Sequence, residues 1–167
     1  MNGHLRTAVV LLVLGASVAC GRLTDGHPAT PVTAFPDLAH YPEVDWTPYR
    51  AEDTRRYFSG SAFATPGGQL CSKNTRDYAH RLWCHGPRPD IDGYWDLSFG
   101  PDDAATAKQA DPPAGADAGP STLPVLPPGH RIALSDGMEC AVSEDAMFAC
   151  RAGEHGFVLT RAGSRLF

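Results

Sequence analysis

The stretch Glu139-Cys140-Ala141-Val142-Ser143-Glu144-Asp145-Ala146-Met147-Phe148-Ala149-Cys150-Arg151 decides the fold. If Cys140 is bonded to Cys150 across an antiparallel ladder, Ala141 faces Ala149, Val142 faces Phe148 and Ser143 faces Met147. Glu144, Asp145 and Ala146 are then left as a three-residue loop. Side chains alternate along a strand, so Cys140, Val142, Phe148 and Cys150 share an apolar face, while Glu139, Ser143 and Arg151 share a wetter one. A three-residue hairpin loop needs one residue in the left-handed region, and Asp145 is the member expected to take it.

The same logic applies to Cys71 and Cys84, the other close pair. Four cysteines permit three connectivities, and pairing within each hairpin-like segment is the one favoured. A tight turn at Asp77-Tyr78 would have poor turn chemistry, so a wider loop spanning about 73–80 is expected between strands at about 69–72 and 81–85. Trp83 and Leu70 then lie on the face away from the bridge. Rings this short give about 3 kcal/mol of stabilisation per bridge in the chain-entropy picture.

Working outward, 61–64, 94–99, 131–134, 138–142, 147–151 and 157–160 read as further short strands bounded by Gly, Pro or polar residues. Thr47-Pro48 is expected to start one short helix running to about 58, with Glu52 and Arg56 four apart. Pro101–Pro120, PDDAATAKQADPPAGADAGP, holds no aromatic or branched aliphatic residue and reads as a disordered linker. The expected fold is mainly β: a small antiparallel β domain over 43–167, made of two disulfide-bridged hairpin halves that share one core across that linker.

The N-terminus gives the address. Arg6 is followed by an uncharged run from Thr7 to Ala19, 13 residues long, and small residues precede Cys20. A membrane-spanning helix needs about 20 apolar residues, so 1–19 reads as a signal peptide that is removed. Ser17-Val18-Ala19-Cys20 resembles the bacterial lipobox, with Ser17 where leucine is usual; cleavage there leaves Cys20 as the lipidated first residue, with acyl chains on its sulfur and amine. The alternative is an ordinary signal peptide with Cys20 incidental. Residues 20–42, rich in Pro and small polar residues, read as a lipid-attached tether on the outer face of the cytoplasmic membrane. With Cys20 used by lipid, an even number of cysteines remains for an oxidising compartment.

The 167-residue chain has a formal charge of −5, which argues against binding a phosphate backbone, and it is too short for a barrel of eight strand-helix units. The expected partners are therefore the membrane, through the N-terminal lipid, and an unidentified envelope protein or ligand, without nucleic acid.

Phe63-Ala-Thr-Pro-Gly-Gly-Gln-Leu-Cys71, Leu82-Trp-Cys84, Leu126-Pro-Pro-Gly-His130, Cys140, Cys150 and the C-terminal segment His155-Gly-Phe-Val-Leu-Thr-Arg-Ala-Gly-Ser-Arg-Leu-Phe167 together resemble a family of uncharacterised secreted proteins and lipoproteins of mycobacteria and related actinobacteria. The resemblance spans most of 60–167 outside the linker. It implies export and a cysteine and glycine framework, and it implies no particular chemistry.

Candidate chemistry is sparse. His80, Cys84 and His85 are metal-ligand types, but their spacing fits no zinc pattern, a fourth ligand is missing, and a bonded Cys84 has no thiolate to offer; neither metal nor cofactor is expected. His85 and His155, each beside glycine near a bridge, are the histidines that a small cell-envelope hydrolase would use with a nearby Asp; as turn histidines they have the simpler reading. No G-x-S-x-G elbow, H-E-x-x-H or Walker loop occurs, and nothing beside Ser59-Gly60-Ser61 would activate a hydroxyl. Asp90, Asp92 and Asp96 read as solvated turn acids. Trp83, Tyr94 and Trp95 are either core or an aromatic platform for sugar or peptide; with His85 and His155 they form the candidate binding surface.

Overall fold

A computed structural model of the chain describes residues 34–53, 58–76, 80–112 and 122–167. The signal peptide, Cys20 and the start of the expected tether lie outside the described residues. Among the described residues there are eleven strands: β1 (Arg50–Asp53), β2 (Phe58–Ala64), β3 (Leu70–Asn74), β4 (Leu82–Arg88), β5 (Ile91–Gly100), β6 (Asp103–Ala110), β7 (His130–Ala133), β8 (Met138–Val142), β9 (Phe148–Ala152), β10 (His155–Thr160) and β11 (Gly163–Leu166). They form two antiparallel meanders, a six-stranded sheet in the order β1-β2-β3-β4-β5-β6 and a five-stranded sheet in the order β11-β10-β9-β8-β7.

Both disulfides join direct cross-strand partners, Cys71 to Cys84 between β3 and β4 and Cys140 to Cys150 between β8 and β9. The β8–β9 register is the one expected, with Ala141 opposite Ala149 and Val142 opposite Phe148. One detail is corrected. Ala146, not Asp145, takes the left-handed conformation, at φ 65°. Ser143 supplies the reason, since its hydroxyl bonds the Asp145 carboxylate and accepts from Met147 N at 2.9 Å, so the loop closes on side-chain hydrogen bonds one residue later.

Side chains alternating inward from both sheets make a single core. Phe63, Leu82, Leu97 and Phe99 meet Ile132, Met138, Phe148 and Phe157, all at most 3% exposed, and the two disulfides lie among them. Edge-to-face rings tie sheet to sheet: Phe63 to Phe148 at 6.4 Å and Phe99 to Phe157 at 5.7 Å. The tip of the β4–β5 hairpin is fastened to the second sheet by Asp90. Its carboxylate accepts a forked pair from Arg88 and a bond from Ser164 Oγ at 2.7 Å. Burial raises the Asp90 carboxyl, but the Arg88 and Ser164 bonds outweigh it and hold the group below the usual carboxylate value.

Three expectations fail. The helix from Thr47-Pro48 to about 58 is only a three-residue 3-10 turn, Thr47–Tyr49, followed at once by β1. Backbone pairing with β2 replaces the helical bonds, and a ragged apolar stripe gave a helix nothing to bury. The linker is not disordered throughout, because its first half forms β6, paired to β5 along Tyr94–Ala110 to Ser98–Thr106. Small side chains make this feasible. Ala105 and Ala107 pack half-buried against the core, and Ala105 N donates to Phe167 O at 3.0 Å; 113–121 lie outside the described residues.

The third correction concerns the tether. From residue 34 onward the chain runs across the outer face of the five-stranded sheet. Phe35 meets the Phe167 ring at 5.9 Å with the Arg151 guanidinium over it at 4.9 Å, and Glu43 and Val44 pair with Arg131 at the opposite edge. Leu38 between them is 1% exposed. The cross-strand row Ala141, Ala149 and Val158 points away from the main core yet is fully buried, so this strap and the sheet enclose a second, small apolar layer. A row of small residues on a sheet face is a shallow groove, and Leu38 is the side chain available to fill it.

Candidate functional site

The expected binding surface is split by the strand alternation. Trp83, His85 and Tyr94 fall on the outer face of the six-stranded sheet, because Trp83 pairs with Ser98, His85 with Asp96 and Pro87 with Tyr94. There His85 Nδ1 lies 2.7 Å from Asp96 Oδ1, its ring is 5.4 Å from that of Tyr94, and Trp83 is 49% exposed with Arg81 beside it. Trp95 is on the opposite face, under the Arg88 guanidinium at 4.8 Å. His155 begins β10 in the other sheet. The five residues therefore do not form one site, and His85 and His155 are strand residues rather than turn residues.

A cleft of about 500 Å³ lies elsewhere, at the end of the sandwich where β1, β2 and β3 diverge from the segment after β7. Its walls are Trp46, Arg50, Ser59, Gly60, Ser61, Thr75, Ala133, Leu134 and Ser135. Register explains its polarity. Phe63 and Cys71 face the core as cross-strand partners; two residues along the same face the partners become Ser61 and Lys73, with Ser61 also opposite Arg50 and Ser59 opposite Glu52. The inner face thus changes from apolar to hydroxyl-rich where the opposing sheet stops covering it. Gly60 lets β2 and β3 approach, since a side chain there would run into the Lys73 carbonyl.

Each wall is held firmly. Asp45 accepts from Thr47 N at 2.9 Å and from Thr47 Oγ1 at 2.7 Å, bonds that also hold its carboxyl below the usual value. Tyr49 N then donates to Trp46 O, while buried Tyr49 sends its hydroxyl to Val125 O at 3.2 Å. Trp46, 51% exposed, consequently stands on a pinned turn. On the far wall, Asp136 next to Ser135 occupies the left-handed region at φ 61° and receives Lys73 Nζ at 2.8 Å and His80 Nδ1 at 3.2 Å. Lys73 is 1% exposed on its side chain, so the ammonium sits inside the sandwich with Asp136 as its counter-charge. The Lys73 bond, helped by His80 and opposed by partial burial, keeps the Asp136 carboxyl below its ordinary value.

Among the described residues no group of three His, Cys, Asp or Glu is arranged to hold a metal ion. Comparison with protein-family models, curated proteins and solved structures finds no match for the chain. Sequence reading missed Trp46, Arg50 and Thr75 altogether. One signal was present: Ser59 and Ser61 lie in phase with Phe63 on a strand, so polar residues occupy positions whose neighbour faces the core.

Proposed function

We propose that this protein is an exported lipoprotein, anchored through Cys20 to the outer face of the cytoplasmic membrane, whose β sandwich acts in the cell envelope by binding a ligand in the Trp46–Ser135 cleft rather than by catalysis. Support for export comes from the two bonded cysteine pairs, a state that persists in oxidising compartments. They agree with the signal-like N-terminus and with the resemblance to secreted actinobacterial lipoproteins. The binding reading rests on one observation, a cleft whose walls are an indole, a guanidinium and four hydroxyl-bearing residues on well-anchored backbone. These groups orient a ligand through hydrogen bonds and ring contact.

The His85–Asp96 pair favours a second reading, a small envelope hydrolase. In that case the chemistry belongs on the open outer face of the six-stranded sheet, away from the cleft. Fractionation of cells expressing the native chain and Cys20→Ala tests the anchor. The native protein is expected in the membrane fraction and the variant in the soluble exported fraction; unchanged partitioning overturns lipid anchoring. Hydrolysis of an envelope extract that is lost with His85→Ala would instead establish the second reading.

A further inference from the structure

We infer that the ligand of the cleft is a neutral, polyhydroxylated molecule of the saccharide class, held against Trp46 and hydrogen-bonded by Ser59, Ser61, Thr75 and Ser135. This rests on the reading of the cleft as the ligand site. Charge decides the class. Arg50, the cation in the cleft wall, already holds Glu52 at 2.7 Å, and Lys73, the buried cross-strand neighbour of Ser61, holds Asp136 at 2.8 Å. An anionic ligand would compete with Glu52 for the exposed Arg50 guanidinium, and reaching Lys73 would mean taking Asp136 away from a buried ammonium. What the walls offer without rearrangement is the Ser59 and Ser61 hydroxyls together with the acceptor lone pairs of Thr75 and Ser135, whose protons go to Ser59 O at 2.6 Å and Asp136 Oδ2 at 3.3 Å, a mixed set that matches alcohols better than carboxylates or phosphates.

The aromatic wall points the same way. Trp46, half-exposed on a fixed turn, brings a flat apolar ring to the cleft wall, and a sugar ring has one apolar face of C–H groups and a rim of hydroxyls. A peptide added to the free edge of β1 is the main rival. That edge carries the charged pair Arg50 and Glu52 over four residues, a short charged strand of the kind that discourages strand addition. The volume of about 500 Å³ falls in the range of small-molecule sites.

The test is calorimetric titration of the full chain carrying Cys20→Ala with maltotetraose, cellotetraose, mannotetraose and chitotetraose, and with citrate and an acidic hexapeptide. Saturable binding of one of the saccharides, insensitive to added salt, is expected. Trp46→Ala should weaken it about tenfold, while Ile91→Ala, at an exposed apolar residue outside the cleft walls, leaves it unchanged. Because Trp46→Ala acts on a folded turn, a Ser59→Ala/Ser61→Ala double variant checks the same cleft from another wall, with thermal unfolding confirming that each is folded. Citrate or peptide binding that is weakened by salt and by Trp46→Ala, with no saccharide response, overturns the saccharide class and leaves the cleft standing as the site. Saccharide binding untouched by both sets of variants overturns the cleft itself. No response to any of the six probes overturns the saccharide class.

Discussion

The two bridged hairpins use the same device in opposite surroundings. At Cys140–Cys150 the sheet is covered twice, by the main core on one face and by the Leu38 strap on the other, so that even Ala141 and Ala149 are fully buried. At Cys71–Cys84 the described residues cover the inner face alone; the outer one exposes Trp83 to 49%, and the inner one opens into the cleft at Ser61. The difference teaches a division of labour. The five-stranded sheet is packed on both faces, and the six-stranded sheet leaves one face and one end open among the described residues.

Removing a bridge should produce the largest effect. The rings close over sequence separations of 10 and 13, so their chain-entropy contributions differ by only about 0.2 kcal/mol and each is worth about 3 kcal/mol. In denaturant titrations of Cys140→Ala/Cys150→Ala and Cys71→Ala/Cys84→Ala, the first is expected to lose more, because all four cysteines are fully buried but only the Cys140–Cys150 hairpin is packed on both faces among the described residues. Equal losses would remove the packing difference on which the comparison depends.

Next comes the strap. Leu38→Ala should cost about 2–4 kcal/mol in the same titration, a value proper to a core leucine and not to a tether. A cost below about 0.5 kcal/mol would return residues 34–42 to the status of a linker.

Asp136→Ala leaves the Lys73 ammonium buried without its counter-charge and should cost about 3 kcal/mol, whereas Lys73→Met removes the charge along with the need for one and should cost much less. The pH dependence has a definite sign. Asp136 and Asp90 are both held below the ordinary carboxylate value in the folded chain, so their contribution is complete above about pH 4 and is lost as the pH falls through their folded values. Thermal stability should therefore fall in acid, and Asp136→Asn should reduce that dependence. The smallest effect belongs to Trp83→Ala on the bare outer face, within about 0.5 kcal/mol by chemical denaturation.

Much of the fold was legible where spacing left little freedom. Cys140 and Cys150 lie so close that a cross-strand bond leaves a three-residue loop, and register, facing and loop length follow together. The loop's own conformation did not follow, because it depends on local bonds from the Ser143 hydroxyl to Asp145 and Met147 N that loop length alone does not reveal. Strand β6 was hidden by composition: DAATAKQA has no aromatic or branched aliphatic side chain, and its neighbours β5 and Phe167 give it partners. Leu38 was hidden for a related reason, as the segment AFPDLAHYP around it, broken by Pro36 and Pro42, has no helical or alternating period to detect, and its groove is built from residues about a hundred positions away. The cleft was least legible of all. It arises where two sheets diverge, and only the phase of Ser59 and Ser61 against Phe63 hinted that the inner face would turn polar.

Peptide mapping of the unreduced protein, isolated from the envelope and alkylated before digestion, tests the central arrangement most directly. The account predicts one cross-linked peptide pair joining Cys71 to Cys84, a second joining Cys140 to Cys150, and no alkylated thiol among the four. A bridge between the two hairpins, or free thiols at either pair, would contradict it.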